Sequence, residues 1–520
     1  MGAIVKQLLP ACGIIGIFAL YETGVLPEFR DFFSLPRTSV LARYLVFVVI
    51  TAAGWVGFSQ YVPEGIVPSL FSLAALFGVV TALAAVALLK PLQGFIVLML
   101  TLPFLRFVEL QSMYKVLSGA LIGSFIVTPT TATVTAFIMV YALNLCAKRK
   151  KVDFPLTRET KLFILFAVLC GISTIHSGDI GTSGIGLYVE VLLFPFFFFF
   201  AKDMCADDKS AITIFYTIIA YVSLRLVFSL YMLLRGMEAG SATYAVSQIE
   251  ELTTMATLAI PLCIGAVTIA KRRCVVIAAL AICAMAFAAL IVGDKREPVV
   301  ALCATLPFLL LMKSDYKKYF VIGLLGGMIA LVVFASIVSE THLHTIPTSI
   351  DDVMSDNVRM SAWVAALKMM REYPLWGIGF GQFVNMLDSY APQTFPFLNI
   401  WPLAAPHNFI LHYVMSIGTL ASVALFSLIA ISYHAGINIV RKSTHRIITN
   451  IAVTIMWALS CFMIASNTGG TMVPFAYSVV QLKERIVSFI PDYGILMWLF
   501  MGLLMATYHR EKLSCKDSED

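Results

Sequence analysis

The chain has 520 residues, of which 60% are hydrophobic and 13% charged, with 38 Phe and a formal net charge of +6. Soluble domains run at about 45–50% apolar and about 25% charged, so this composition excludes an ordinary soluble enzyme, a disordered chain, a nucleic-acid-binding module and a disulfide-stapled secreted domain. Apolar runs of about 20 residues recur along almost the whole sequence, which predicts an all-α polytopic membrane protein rather than a barrel of short alternating strands.

In chain order, spans are predicted at about 8–26, 41–59, 66–89, 92–105, 119–146, 162–177, 185–201, 212–234, 253–270, 274–292, 298–312, 319–338, 409–433, 447–465 and 489–508. That makes about fifteen helices, or fourteen if the third and fourth, parted only by Lys90-Pro91, act as one. Four stretches follow: N-terminal helices over 1–147 with no assigned task, a helical core over 148–338, a long connection over 339–408, and C-terminal helices with a short tail over 409–520. The ten Cys are scattered, mostly in apolar runs (Cys146, Cys170, Cys263, Cys283, Cys303, Cys461). They show no C-x-x-C and no ligand spacing, so they read as small core residues, and no metal site is predicted.

Basic residues set the orientation. Clusters at 148–161, 271–273, 313–318, 441–446 and 510–516 hold 18 of the 36 Lys and Arg, and each lies an even number of spans from the next. By the positive-inside rule they mark the cytoplasmic side. The segments 178–184, 235–252, 293–297, 339–408 and 466–488 then face outward. The segment 339–408 carries six acidic and three basic residues, and connections of that length are usually functional.

Within it, Asp351 to Asn357 suits a helix N-terminus. Arg359, Trp363, Leu367 and Arg371 then recur at helical spacing until Pro374 ends the helix. Taken alone, this reads equally as an amphipathic helix on the membrane surface with Arg359 snorkelling. Gly377, Gly379 and Gly381 alternate, which lets a backbone pass close to a ligand or to another helix. His407 and Asn408 open the next apolar run. A His there feels the positive end of the helix dipole, which favours the neutral imidazole a general base needs; a capping His is the plainer reading. In the outer turn Gly293-Asp294-Lys295-Arg296-Glu297, Lys295 and Arg296 run against the charge bias of that side, and an Arg entering a helix suits bidentate phosphate binding. Inside the spans, Arg225 and Glu190 both fall in outer halves, as functional charges or as each other's ion-pair partner.

The order Arg359-x-x-x-Trp363, Pro374-x-x-Gly377-x-Gly379-x-Gly381, then His407-Asn408 resembles the O-antigen ligase and polymerase superfamily of bacterial membrane glycosyltransferases, over about residues 210–470. The family's second Arg corresponds to the turn at 293–297. Its usual Ser-Arg-small turn reads Asp294-Lys295-Arg296-Glu297 here, and Ser247-Gln248-Ile249-Glu250-Glu251 stands where an Asn-Pro-Asn-like signature is usual.

The resemblance implies a glycosyltransferase C-type-like fold in the bacterial inner membrane, with its active site facing the periplasm. It further implies transfer of a saccharide from an undecaprenyl-diphosphate-linked donor to an acceptor hydroxyl, without metal or other cofactor. Arg296 and Arg359 with His407 are the implied catalytic residues. Lys295, Arg225, Trp363, Gly377, Gly379, Gly381 and Asn408 are implied to bind substrate. Implied partners are the lipid-linked saccharide, a glycan acceptor, the lipid bilayer and other polysaccharide export proteins, with no nucleic acid. Length and extra helices favour an O-antigen or exopolysaccharide polymerase. A ligase acting on lipid A-core, a protein O-oligosaccharyltransferase, and a flippase or transporter of lipid-linked saccharide are the alternatives.

Overall fold

The computed structural model describes residues 90–113, 121–122, 125–126, 129–147, 157–205, 207–238, 242–293, 296–313, 326, 348–390, 406, 408–467, 478–482, 485–489 and 493–517. The spans expected before residue 90 and most of the one at 319–338 lie outside the described residues.

Among the described residues, seven helices are long and apolar enough to cross a membrane: Arg158–His176, Ile180–Met204, Asp208–Leu234, Glu251–Ile269, Arg273–Ile291, Phe409–Lys442 and Arg446–Asn467. Shorter apolar helices lie at Pro91–Pro103, Thr133–Ala142 and Glu297–Leu311. The fold is therefore a multi-pass helical membrane bundle. Its core is strongly aromatic, with Phe95, Phe137, Phe194, Phe197, Phe198, Phe200, Trp457 and Trp498 fully buried. The Phe-rich run 194–200 packs on helix Pro91–Met113, as in the Phe95–Phe200 ring contact at 4.9 Å. Of the cysteines, Cys170, Cys263 and Cys461 are core residues as expected, whereas Cys303 is exposed on its helix.

Several boundaries differ from the sequence reading. The span expected at 119–146 becomes helical only at Pro129, a proline at the first helical turn where its missing N–H costs nothing. Before it, Leu121–Ile122 and Phe125–Ile126 pair antiparallel across the two-residue Gly123-Ser124 link. With Ser478–Leu482 and Arg485–Phe489 they form a small four-stranded sheet, the exception to an otherwise helical fold. Pro307 parts the helices Arg296–Thr305 and Phe308–Leu311. Pro195 interrupts Ile180–Met204, producing one π-helical turn over Tyr188–Leu193.

Described residues from four of the five basic stretches meet at one end of the bundle. Lys202 Nζ and His509 Nε2 lie 2.6 and 2.7 Å from Glu159 Oε1. Arg510 pairs with Asp208, and Lys313 donates through its N–H to Asn450 Oδ1 at 2.8 Å and through Nζ to the Ser443 carbonyl at 2.6 Å. These contacts join seven helices near their ends, at the level of residues 158, 202, 313, 443 and 510.

Helix lengths fix the opposite level. Arg158–His176 and Arg446–Asn467 have 19 and 22 residues, about 28 and about 33 Å at ~1.5 Å per residue. Both match the ~30 Å hydrocarbon core. Phe409–Lys442 has 34 residues, about 51 Å, which is too long for one straight crossing. It is broken at Gly418 (φ 77°, ψ 172°), and the part after the break, about 36 Å long, again matches one membrane thickness. His176, Asn467 and Thr419 thus stand at one level, opposite the basic end.

Candidate functional site

The break at Gly418 organises this end. In an unbroken helix the Thr419 N–H would bond to the Met415 carbonyl; here it donates to the Pro374 carbonyl at 2.9 Å. The Thr419 hydroxyl donates to that same carbonyl at 2.7 Å. The carbonyls thereby released are taken by the glycine segment: Ile378 N–H donates to Met415 O at 2.9 Å and Gly379 N–H to Ser416 O at 2.8 Å. Ser173 Oγ also donates to Ser416 O, at 3.2 Å. Residues 374–381 therefore satisfy the backbone groups that the break exposes.

Gly377, Gly379 and Gly381 have φ of 71°, 95° and 71°, in the left-handed region that only glycine adopts without strain. A Cβ on Gly377 would come within 2.5 Å of Gly418 N and Ser416 O, and one on Gly379 within 2.3 Å of Ser177 Cβ. Of the two partners left open for these glycines, the structure places Gly377 and Gly379 against other helices. The far side of the loop docks on the turn between two spans. Ser183 Oγ donates to Phe380 O at 3.1 Å, and Gln382 Nε2 donates to Asp179 O at 3.1 Å and Ser183 Oγ at 3.2 Å. Asp179 accepts from the Thr182 hydroxyl at 2.5 Å and from the N–H groups of Gly181 and Thr182. The Thr182 hydroxyl bond, with these backbone donors, holds its carboxyl below the usual carboxylate range.

The connection before the loop is the helix Thr348–Glu372, and it ends before Pro374 as its sequence predicts. It is amphipathic. Ala362, Ala365, Ala366 and Met369 are buried against Ile378, Phe383, Leu387 and Met415, whereas Met360, Val364 and Leu367 are exposed. Small Ala side chains let this helix sit close to the broken one. Arg359 lies on the helix one turn before Trp363, which is half-buried and donates its indole Nε1–H to the Pro406 carbonyl at 2.7 Å. This bond brings the Arg359–Trp363 face to the residue preceding His407.

His407 and Lys295 lie outside the described residues, and of Arg296 and Arg359 the backbone alone is described. Asn408 is the N-cap of the broken helix: its Oδ1 accepts from the Leu411 N–H at 3.0 Å. Its Nδ2 donates to the Asn467 carbonyl at 3.1 Å, and Asn467 Oδ1 accepts from the Ile410 N–H at 3.3 Å. Asn467 belongs to no motif read from the sequence; an Asn at the end of an apolar span is the one signal that marks it.

Arg296 opens the helix Arg296–Thr305 at the same end. Three residues earlier, a Cβ on Gly293 would meet Thr253 Cγ2 at 2.1 Å, so the end of the helix Arg273–Gly293 is seated on the helix bearing Glu251. Arg225 is buried and ion-paired to Glu251, which also accepts from Ser229 Oγ at 3.1 Å. The pairing of Arg225 with Glu190 that the sequence left open is not formed. Glu251 thus holds Arg225 by an ion pair between neighbouring helices. Among the described residues, no group of three or more His, Cys, Asp or Glu is placed to hold a metal ion.

Residues 281–426 match the family model described as O-antigen ligase. The matched segment runs from the helix before Arg296 through Arg359, Trp363, the three loop glycines, His407 and Asn408 to just past the Gly418 break. It is narrower than the stretch over which the sequence resemblance was drawn, and it leaves Arg225, Glu190 and Asn467 outside. Curated proteins give no match to the chain.

Proposed function

We propose that the protein is a membrane glycosyltransferase that moves a saccharide from an undecaprenyl-diphosphate-linked donor to an acceptor hydroxyl at the outer face of the bacterial inner membrane, and that it acts as a polysaccharide polymerase. The observation that carries the reading is the Trp363–Pro406 hydrogen bond inside the segment similar to O-antigen ligases. It draws the helix with Arg359 to the chain entering His407, two groups that lie far apart in sequence.

The chemistry follows from the residue types. Breaking the bond between the sugar anomeric carbon and the phosphate oxygen leaves the electron pair on the diphosphate. Arg296 and Arg359 neutralise that developing charge, a stabilisation of about 10²–10³-fold per well-placed donor in a water-poor site. His407 takes the proton from the acceptor hydroxyl as its oxygen bonds to the anomeric carbon, a contribution of about 10²–10⁴-fold. Lys295 adds positive potential towards the diphosphate, whereas the charge of Arg225 is balanced by Glu251, so Arg225 would contribute as a hydrogen-bond donor. Trp363 and Asn408 set the geometry between the arginines and the base. The glycines Gly377, Gly379 and Gly381 shape the floor on which these groups stand.

The test is purified protein in liposomes with a lipid-linked oligosaccharide donor. A ladder of longer lipid-linked chains, with release of undecaprenyl diphosphate, is the expected result. Transfer to added lipid A-core, with no ladder, would make the protein a ligase. Movement of intact donor across the bilayer with no release of carrier would replace the enzyme reading by transport.

A further inference from the structure

The helix Thr348–Glu372 is apolar on two sides. One side, Ala362, Ala365, Ala366 and Met369, is buried against the protein. On the other, Met360, Val364 and Leu367 follow one another at helical spacing as a single stripe, and all three are exposed. A helix docked by one face on a protein in water carries polar residues on the other. This stripe therefore calls for an apolar neighbour.

The placement of the helix says which neighbour that is. Asn408 donates to the carbonyl of Asn467, the last residue of its span, and Thr419 follows the Gly418 break. Residues 409–417 thus begin and end at the level shared by Asn467 and Thr419, so they lie across the outer end of the bundle rather than along the spans. The helix Thr348–Glu372 runs beside them. Trp363 is bonded to Pro406 at their start, Met415 packs into the alanine face, and Pro374 accepts from Thr419 at their end. Just beyond, the Trp376 ring stacks on His176, the last residue of another span, at a centroid distance of 5.8 Å. The stretch from Trp363 to Glu372, about 15 Å long at ~1.5 Å per residue, is therefore held in the plane of the bilayer at its outer boundary.

The apolar surface continues past this joint. Leu375 and Leu420, each next to a residue of the Pro374–Thr419 hydrogen bonds, are exposed, and so is Val423 one turn into the span. Exposed apolar side chains on a membrane span meet lipid chains. Lys368 and Arg371 are exposed beside the stripe, and their long stems let the charges reach headgroup phosphates from that depth.

We propose that Met360, Val364 and Leu367 form a lipid-contact surface, seated among the chains of the outer leaflet and continuing the lipid-facing wall of Leu420 and Val423. Position 359 falls about 100° round the helix from this stripe, on the side of Trp363 and off the lipid face. The helix then carries the Arg359–Trp363 face at headgroup depth. A consequence that rests on the transferase reading follows: a diphosphate anchored by its polyprenyl chain in the same leaflet meets that face without leaving the bilayer.

The test uses the full chain in phosphatidylethanolamine–phosphatidylglycerol vesicles. Met360→Cys, Leu367→Cys and, as the in-span reference, Val423→Cys are made singly in a cysteine-substituted background and labelled with bimane. The quenchers are a phospholipid with a nitroxide on its acyl chain and aqueous iodide. The lipid nitroxide should quench the labels at 360 and 367 to the same extent as the label at 423, and iodide should have little effect. Quenching by iodide alone puts the stripe in water and overturns the proposal. Quenching by neither means that another part of the chain or a second copy covers the stripe, and overturns it too. Should a label disturb the helix, the unlabelled parent decides. Trypsin cuts after Arg359 and Lys368, so the whole stripe lies in one peptide, Met360–Lys368. A phospholipid with a diazirine on its acyl chain should photolabel that peptide. Adducts on the span Phe409–Lys442 and none on Met360–Lys368 would overturn the proposal. Neither measurement uses transfer: lipid contact without turnover removes the transferase reading alone, and turnover without lipid contact removes this surface alone.

Discussion

Trp363 and Pro406 are joined by a 2.7 Å hydrogen bond from the indole N–H to the backbone carbonyl. They belong to two separate parts of the long connection, 43 residues apart in sequence. Proline leaves the carbonyl as its only backbone hydrogen-bonding group, so this bond is how Pro406 is held. Trp363→Phe keeps a ring in the same half-buried place and removes the donor. The expected loss of stability is about 1 kcal/mol, the net worth of one such bond, whereas transfer activity falls by at least about tenfold because the chain entering His407 loses its tether. Thermal unfolding in detergent beside turnover in liposomes separates the two. Equal, small effects on both would reduce Trp363 to packing.

Gly418 and the segment Leu375–Gly377 interlock: Gly418 N stands where a Cβ on Gly377 would go, and the Leu375 and Trp376 backbone stands where a Cβ on Gly418 would go. A methyl on Gly418 would stand 2.1 Å from the Leu375 carbonyl oxygen, and φ of 77° is strained for any L-residue. Gly418→Ala therefore costs more than the about 1–3 kcal/mol of backbone strain alone. Gly171 is the control: it lies within the helix Arg158–His176, where an added methyl would meet nothing within 4 Å. Gly171→Ala should be neutral or gain up to about 1 kcal/mol. Melting temperatures that fall alike in both variants would remove the break from its structural role.

How much of this the sequence carried depends on the range of the signal. The helix through Arg359 and Trp363 and its end before Pro374 are local patterns, and they stand as read, whereas the sequence reading offered His407 as the cap that Asn408 supplies. The alternating glycines announced a close approach, yet Gly418, the group approached, lies in an apolar run that gives no hint of a break. Counting residues inward placed both Arg225 and Glu190 in outer halves of their spans. Depth alone does not give the direction a side chain points: Glu190 is buried in the π turn ahead of Pro195, while Arg225 meets Glu251. The bond from Trp363 to Pro406 depends on how two distant segments pack, and nothing in either segment alone specifies it.

The connection from 339 to 408 should be exported. Contacts among Glu159, Lys202, Lys313, Ser443, Asp208 and Arg510 bring four of the five basic stretches to one end, and the positive-inside rule assigns that end to the cytoplasm. A cysteine introduced at Thr348, in a cysteine-substituted background, should react with an impermeant thiol reagent in intact spheroplasts. Reaction only after permeabilisation would invert the orientation and with it the proposed mechanism.

Arg359→Lys tests the fork geometry of a phosphate clamp. Lys keeps the charge but offers a point donor in place of the planar bidentate one. Loss of most activity at matched expression is expected, about 10²-fold for one displaced donor. A solvated or snorkelling Arg on the exposed side of the helix Thr348–Glu372 would accept Lys with little change, and near-normal polymer formation would assign Arg359 that role.

His407 is proposed to act as a neutral base, and Asn408 sharpens the test of that role. The cap of the helix Phe409–Lys442 is already supplied by Asn408, whose Oδ1 accepts from the Leu411 N–H. A capping function for His407 is therefore redundant, and the positive end of the helix dipole beside it favours unprotonated imidazole. His407→Asn should leave the protein folded, since the Asn408, Trp363 and Asn467 contacts all remain, and donor binding through the arginines should persist. Transfer to acceptor should fall by about 10²–10⁴-fold, the usual contribution of a general base. The pH profile adds a second readout: in the parent, kcat/KM should rise with pH through the imidazole pKa of the free enzyme, and this limb should be absent from the residual activity of the variant. Product formation by His407→Asn at close to the parent rate, with the same pH profile, would place the base elsewhere.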